Sequence, residues 1–236
     1  MIGNKSILAI ILARSESKRL PKKNIRNFNG KPLISWTIKS ALNSKYIDRL
    51  IVSTDSSEIA QISEKYKAEV PFRRPKYLAT DHASSESAIL HSIRWLRNKE
   101  HKKYFYTMLL QPTSPLRSTF QIDDAIEKIS SNSEAYSLIS ASRPHSSLFV
   151  VKPFKKSKTL HTFVSQNITN IKSNTKLLYY IPNGAMYIAK TNKFVYYKSF
   201  CTPKTLFYLM NSYDSIDIDE ETDFLLAEYF LNRNEK

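Results

Sequence analysis

Ile7-Leu8-Ala9-Ile10-Ile11-Leu12 runs directly into Ala13-Arg14-Ser15-Glu16-Ser17-Lys18-Arg19-Leu20-Pro21-Lys22-Lys23-Asn24, and this junction decides the fold. Six apolar residues, half of them β-branched, are too few for a lone buried helix. They suit a strand covered on both faces, as at the centre of a parallel sheet. The polar, cationic segment that follows is then the loop at that strand's carboxyl end.

Outward from this strand the pattern repeats. Leu33, Trp36, Thr37 and Ser40 share one face of a helix, with Ile34, Ile38, Ala41 and Leu42 beside them. Leu50–Thr54 reads as a strand, about Ser57–Tyr66 as a helix, Glu69–Phe72 as strand-like, about Ser87–Arg97 as a helix and Tyr104–Leu110 as a strand. Ile122, Ala125, Ile126 and Ile129 keep helical spacing, and Ala135–Ala141 returns to strand. Strands alternating with helices imply βαβ crossovers, hence a Rossmann-like α/β domain with a doubly wound, mostly parallel sheet. Ligands of such sheets lie beyond the strands' carboxyl ends, near the topological switch point. That singles out the loops starting at Ala13, Thr54 and Gln111.

The rhythm breaks over 142–180, a polar and basic stretch that reads as an inserted excursion serving dimerisation and a substrate pocket. Core patterning resumes at Gly184–Ala189 and Leu206–Met210. A helix over about Glu220–Asn232 closes the chain, with Phe224, Leu226, Ala227, Tyr229 and Phe230 as its expected apolar side.

Composition narrows the function. A chain of 236 residues with 42% hydrophobic and 24% charged residues reads as one globular domain over 1–236. Lys and Arg number 36 against 21 Asp and Glu, a formal net charge of +15, which excludes an acidic chaperone-like chain. The three glycines, Gly3, Gly30 and Gly184, stand far apart, so no stretch holds enough of them for a G-x-G-x-x-G fingerprint or a Walker A loop. The single cysteine, Cys201, rules out an intramolecular disulfide, and the five histidines lack metal-ligand spacing. No run of about eighteen apolar residues exists to cross a membrane, so the expectation is a soluble, cytoplasmic protein with no membrane partner.

Arg14–Lys23 carries five cations in ten residues. Charge density alone describes a solvated loop. Its place after a buried strand points instead to a polyphosphate, since Arg offers a planar fork and Lys a point charge to phosphate oxygens. Asp217-Ile218-Asp219 alternates, which in extended chain sends both carboxylates to one side. Such a pair suits Mg²⁺ or Mn²⁺, which take one or two carboxylates plus substrate phosphates. Equally, Asp219 reads as the N-cap of the last helix.

Ala13-Arg14-x-x-Ser17-Lys18-Arg19-Leu20-Pro21-x-Lys23-Asn24 with Asn29-Gly30-Lys31-Pro32-Leu33-Ile34 resembles the signature of the sugar cytidylyltransferases. The nearest branch is the acylneuraminate (CMP-sialic acid synthetase) family. The likeness continues through Val52–Asp55, Arg74-Pro75 with Leu78–Asp81, Leu110–Arg117, Pro182–Ile188 and Asp214–Asp219, six collinear blocks over nearly the whole chain. The resemblance implies attack by the anomeric hydroxyl of an acidic nine-carbon keto-sugar, a nonulosonic acid, on the α-phosphate of CTP, expelling pyrophosphate. By the same resemblance Arg14 and Lys23 hold the triphosphate, Lys23 offsets transition-state charge, and Asp217 and Asp219 hold the metal. Ala13, Asn24, Arg74 and Ser85 serve the nucleotide, and Gln111, Asn183 and Gly184 contact the sugar. A homodimer is implied.

Several of these residues also have a plain structural reading: Arg74 as surface charge, Ser85 as a helix cap, Asn183-Gly184 as a turn. Arg117 is left between phosphate contact and pairing with an acid. Sialic-acid-specific relatives often carry an Arg two residues before the Asn-Gly pair, where this chain has Ile181; Lys172 and Lys176 are candidate replacements, and a different donor or a different sugar pose is expected. The other readings are a transferase for another acidic keto-sugar such as an octulosonate, and a basic nucleic-acid-binding protein, which the net charge and the many aromatics suggest.

Overall fold

A computed structural model describes residues 1–143 and 180–234. The expected excursion over 142–180, its dimerisation role, and Lys172 and Lys176 lie, but for its ends, outside the described residues. β1 (Ile7–Leu12) is followed by a short hairpin, β2 (Asn27–Phe28) and β3 (Lys31–Pro32), and by α1 (Leu33–Leu42). Then come β4 (Arg49–Ser53), α2 (Ser57–Lys65), α3 (Ser85–Lys99), β5 (Tyr106–Leu110), α4 (Thr119–Ser131) and β6 (Ser137–Ser142). After the excursion, β7 (Ile181–Lys190), α5 (Thr191–Tyr197), β8 (Thr205–Leu209) and α6 (Glu221–Asn234) complete the chain. Among the described residues no helix is long and apolar enough to cross a membrane.

The main sheet has the order β4-β1-β5-β7-β6-β8. β4, β1 and β5 run parallel, as do β6 and β8, while β7 lies antiparallel to both neighbours. β1 lies inside the sheet between β4 and β5 and is buried on both sides, as its unbroken apolar run requires. The chain goes from β1 to β4 on one flank and later to β5 on the other. The crevice beyond β1 and β5 is therefore the switch point, and the loops at Ala13 and Gln111 face each other across it.

Local chemistry sets the element ends. Ser56, Ser84 and Ser118 each accept a backbone N–H at a helix start, Ser118 in a full capping box with Gln121. Asn29 and Gly30, at φ 47° and 80°, make the tight turn of the β2–β3 hairpin. Glu69–Phe72 makes only isolated parallel bridges at its margins, Ile51 to Glu69 and Thr54 to Arg73, so it is an edge extension of β4 rather than a full strand. The last helix buries a narrower stripe than expected: Phe224 and Ala227 are in the core, whereas Leu226 and Tyr229 face out. A lone helix at a domain edge has only one face to bury.

Two apolar clusters cover the two faces of the sheet, one centred on Ile7, Ile11, Ile34 and Met108, the other on Leu8, Ile10, Ile89 and Phe194. A third fixes the site. Leu20 and Phe28, flanking the cationic loop, pack with Ile216, Ile218 and Phe224 near the chain's end. Burial of these side chains, worth roughly 1.5–3 kcal/mol each, pulls together two segments about two hundred residues apart.

Candidate active site

The cleft at the switch point has a volume of about 320 Å³ and is lined by Arg14, Lys23, Asn24, Arg74, Ser85 and Gln111, all singled out by sequence, together with Asp81 and Thr113. Two roomier hollows, of about 380 and 540 Å³, lie elsewhere and are lined by no carboxylate. Size is a poorer guide here than chemistry, because only the smaller cleft combines cations, acids and strand ends.

Lys23 emerges from a 3-10 turn, Lys23–Ile25, that Lys22 enters at φ 53°. Its side chain is 11% exposed, and Nζ donates to the Ile218 carbonyl at 2.6 Å and to Asp219 Oδ1 at 3.0 Å. Arg19 Nη1 reaches Asp219 Oδ2 at 3.2 Å. The cationic loop and the late acidic pair thus meet. Ile218 is fully buried and Asp217 and Asp219 face outward, as the alternation predicts. Asp219 does not cap the last helix. The helix begins at Glu221, and Asp223 accepts the N–H groups of Asp219 and Glu220, each at 2.9 Å, leaving the Asp219 carboxylate turned to the cations.

Asp217 presents exposed surface but is hemmed in on the protein side, and that desolvation raises its pKa; nearby Asp219 and Asp223 push the same way, against a Thr113 hydrogen bond and Lys23. A Cβ added to Gly184 would stand 3.2 Å from Asp217 Oδ2 and 3.8 Å from Gln111 Nε2. Gly184, at φ 78°, therefore gives these two side chains their room. Thr113 Oγ1 donates to Gln111 Oε1 at 3.3 Å, and the Ile218 N–H to the Thr113 carbonyl at 2.8 Å, which ties the Gln111 loop to the acidic segment.

On the far wall Arg14 Nη1 lies 2.8 Å from Asp81 Oδ1, and Lys18 Nζ 2.6 Å from Asp81 Oδ2. Lys18 and then Arg14 hold the Asp81 carboxyl below its ordinary value. Arg74 is buried, not surface charge: Nε donates to Ser53 Oγ at 3.0 Å and Nη2 to the Ser53 carbonyl. Burial, with Arg14 close by, pushes its pKa down to about 10 against the pull of Asp55. Burial works to raise Asp55, yet hydrogen bonds from the Ser15 hydroxyl and N–H, with the charge of Arg74, leave its carboxyl lowered.

Other expectations are corrected. Ser84, not Ser85, caps α3, accepting the Ser87 N–H at 3.2 Å, so Ser85 is released to line the cleft. Ala13 is fully buried and spends its N–H on the Ser53 carbonyl at 3.1 Å, so it anchors the loop and shows the cleft no side chain. Asn183 is likewise turned inward. Its amide donates to Ser215 Oγ at 2.8 Å and meets Met210 Sδ at 3.4 Å, while Oδ1 accepts from Ser140 Oγ at 2.6 Å and the Ala185 N–H at 3.2 Å. The polar hydrogens and lone pairs of its side-chain amide are thus engaged within the protein, and they brace the backbone beside Gly184. Asn24 donates to the Arg14 carbonyl at 3.1 Å and so braces the loop that it also lines. Among the described residues Arg117 neither lines the cleft nor pairs with an acid; it is 2% exposed, beneath the strand ends. The roles of Asp81, Lys18, Thr113 and Asp55 were missed, although Asp81 and Asp55 close two of the quoted sequence blocks. The signal lay in strand order, since a loop after β4 must border one after β1.

Residues 8–226 match the model of the family described as Cytidylyltransferase. The chain is 36% identical over 98% of its length to the CMP-N,N'-diacetyllegionaminic acid synthase of Legionella pneumophila, of which it spans 98%. It is 35% identical over 94% of its length to the N-acylneuraminate cytidylyltransferase of Escherichia coli, of which it spans only 51%. It is 40% identical over 55% of its length to the pseudaminic acid cytidylyltransferase of Campylobacter jejuni, of which it spans 55%. Among solved structures it superposes on a CMP:2-keto-3-deoxy-manno-octonic acid synthetase complexed with CTP, with a TM-score of 0.72, 14% identity and coverage of 97% and 99% of the two chains. A 4-diphosphocytidyl-2C-methyl-D-erythritol synthase from Anaerococcus prevotii gives a TM-score of 0.68 at 15% identity, with the same coverage. Those two likenesses speak for the fold alone. The family match over most of the sequence settles the class: the chain belongs to the cytidylyltransferase family.

Proposed function

We propose that the enzyme transfers CMP from CTP to the anomeric hydroxyl of a nonulosonic acid of the sialic, legionaminic or pseudaminic type and releases pyrophosphate. One observation carries this reading: Lys23, which lines the cleft together with Arg14, is joined to Asp219 and to the Ile218 carbonyl, so the cations after β1 meet the Asp217–Asp219 segment. The end-to-end similarity to the legionaminic acid synthase supports a nine-carbon substrate over an octulosonate, and family membership favours a transferase over a nucleic-acid binder.

The sugar hydroxyl is the nucleophile. Its oxygen bonds to the α-phosphorus as the bond to the pyrophosphate oxygen breaks, and the hydroxyl proton leaves to solvent. The protein's work is to position reactants and offset charge. Arg14 and Lys23 would take the triphosphate, exchanging their present partners Asp81 and Asp219 for phosphate oxygens. Of the other lining residues Arg74 and Ser85 would serve the nucleotide and Gln111, with the backbone at nearby Gly184, the sugar.

Asp217 and Asp219 fit a divalent ion. Both are hard oxygen donors, and Asp217, raised chiefly by desolvation and then by the neighbouring Asp219 and Asp223 charges, is a carboxylate that a cation would stabilise. Mg²⁺, or Mn²⁺ in its place, would supply Lewis-acid polarisation of the phosphates when bound. Among the described residues no cluster of three or more His, Cys, Asp or Glu exists, so phosphate oxygens and water would complete the coordination. A cytoplasmic homodimer completes the proposal. With Ile181 at the start of β7, the sugar carboxylate must find its cation on another residue.

The test is to incubate the protein with CTP and Mg²⁺ against a panel of nonulosonic acids and an octulosonate, reading nucleotide-sugar by mass. A CMP-nonulosonate is expected. Product with the octulosonate alone, or pyrophosphate released without sugar, would overturn the reading.

A further inference from the structure

Arg117 is among the largest fully buried side chains of the protein, and no carboxylate pairs with it among the described residues. Burial pushes its pKa down to about 9, and Nε and Nη2 have no hydrogen-bond partner among the described residues. Such a group is costly, and a well-packed apolar side chain of similar volume would often be no worse for stability. What the guanidinium does achieve is specific. Nη1 donates to the Ala185 carbonyl at 2.8 Å and to the Gln111 carbonyl at 3.2 Å. The antiparallel ladder between β5 and β7 ends one step earlier, at Leu110 and Met186. Beyond it Gly184 turns at positive φ and the strands part. Arg117 spans that parting.

We propose that Arg117 is a positioning residue for the acidic-sugar half of the site: by tying both carbonyls to one nitrogen, it sets the spacing between the Gln111 side chain and the Gly184 backbone, with Asp217 between them. The Thr37 hydroxyl, which meets the Gln111 carbonyl at 3.3 Å, secures that end alone and leaves Ala185 to Arg117. The assignment to the sugar half rests on the nonulosonate reading; the tie between the strands does not.

Two readouts separate these. Hydrogen exchange on Arg117→Met, or on Arg117→Lys should the first variant not fold, should show residues 110–113 and 183–187 exchanging roughly tenfold faster, with β1 and β4 unchanged. Unchanged exchange in a folded variant would overturn the tie whatever the substrate. In turnover the same variant should raise KM for the nonulosonic acid about tenfold or more while KM for CTP stays within about twofold. In a Gln111→Ala background the Arg117 substitution should add little further, because both act on one contact. Equal rises in both KM values, or full additivity, would reduce Arg117 to general scaffolding. Faster exchange in a protein that turns over no nonulosonic acid would keep the tie and overturn its assignment to the sugar.

Discussion

The two walls of the cleft are built on opposite principles. The wall that follows β1 is a polar loop held by ion pairs, Arg14 and Lys18 on Asp81, Lys23 and Arg19 on Asp219, most of them partly open to solvent. The wall formed by the ends of β5 and β7 is held by buried hydrogen bonds: Asn183 with four partners, Arg117 across two carbonyls, Gly184 at positive φ. Exposed ion pairs are worth little and are readily exchanged, whereas buried networks fix a single geometry. The difference suits a triphosphate that must enter and leave as pyrophosphate on one side, and a hydroxyl that must be aimed on the other.

If that contrast is right, the largest effect belongs to the residue that joins the walls. Lys23→Ala should lower kcat by about 10²–10³, as loss of a charge-stabilising donor does. It should also cost about 1–2 kcal/mol in thermal unfolding, because the Ile218 carbonyl loses its cationic donor. Loss of stability with kcat intact would make Lys23 only a brace. Asp217→Asn should cut metal-dependent turnover by at least about a hundredfold. It should leave Tm unchanged or slightly higher, since desolvation and like charges already work against that carboxylate. A lower Tm would place Asp217 with the rigid wall.

Gly184→Ala tests the rigid wall directly. A methyl at φ 78°, 3.2 Å from Asp217 Oδ2, should cost about 1–2 kcal/mol and raise KM for the sugar acid more than for CTP. A soft wall would absorb it. Smaller again, Asp81→Asn frees Arg14 and Lys18 and should lower KM for CTP by about two- to fivefold, the worth of an exposed pair, with a steeper salt dependence. An unchanged or higher KM would mean that Asp81 orders the loop instead of competing with phosphate. The least effect is at Asp55, whose lowered carboxyl contributes stability above its unfolded value near pH 4 and loses it as pH falls through the folded value. Asp55→Asn should therefore lower Tm at neutral pH and converge on the parent protein in acid, once pH has fallen below that folded value.

The exchangeable wall was the more legible in sequence. Its cations are clustered within ten residues, and both the buried strand before them and the alternation at Asp217-Ile218-Asp219 carry short-range periodic signals. The rigid wall was not, because its members are defined by what surrounds them. Nothing local distinguishes Ser84 from Ser85 as the cap, tells that the Asn183 amide turns inward, or shows that Arg74 and Arg117 are buried. The β2–β3 hairpin and α5 were too short for periodicity to reveal. Tertiary packing settled all of these, and packing is what one sequence window omits.

The central claim is that Lys23, Asp217 and Asp219 serve one metal-bound triphosphate. Calorimetric titration of CTP, with and without Mg²⁺, into the parent protein and into an Asp217→Asn/Asp219→Asn double variant tests it most directly. The account predicts that Mg²⁺ strengthens CTP binding to the parent and ceases to do so in the variant. The same Mg²⁺ dependence in both proteins would contradict it.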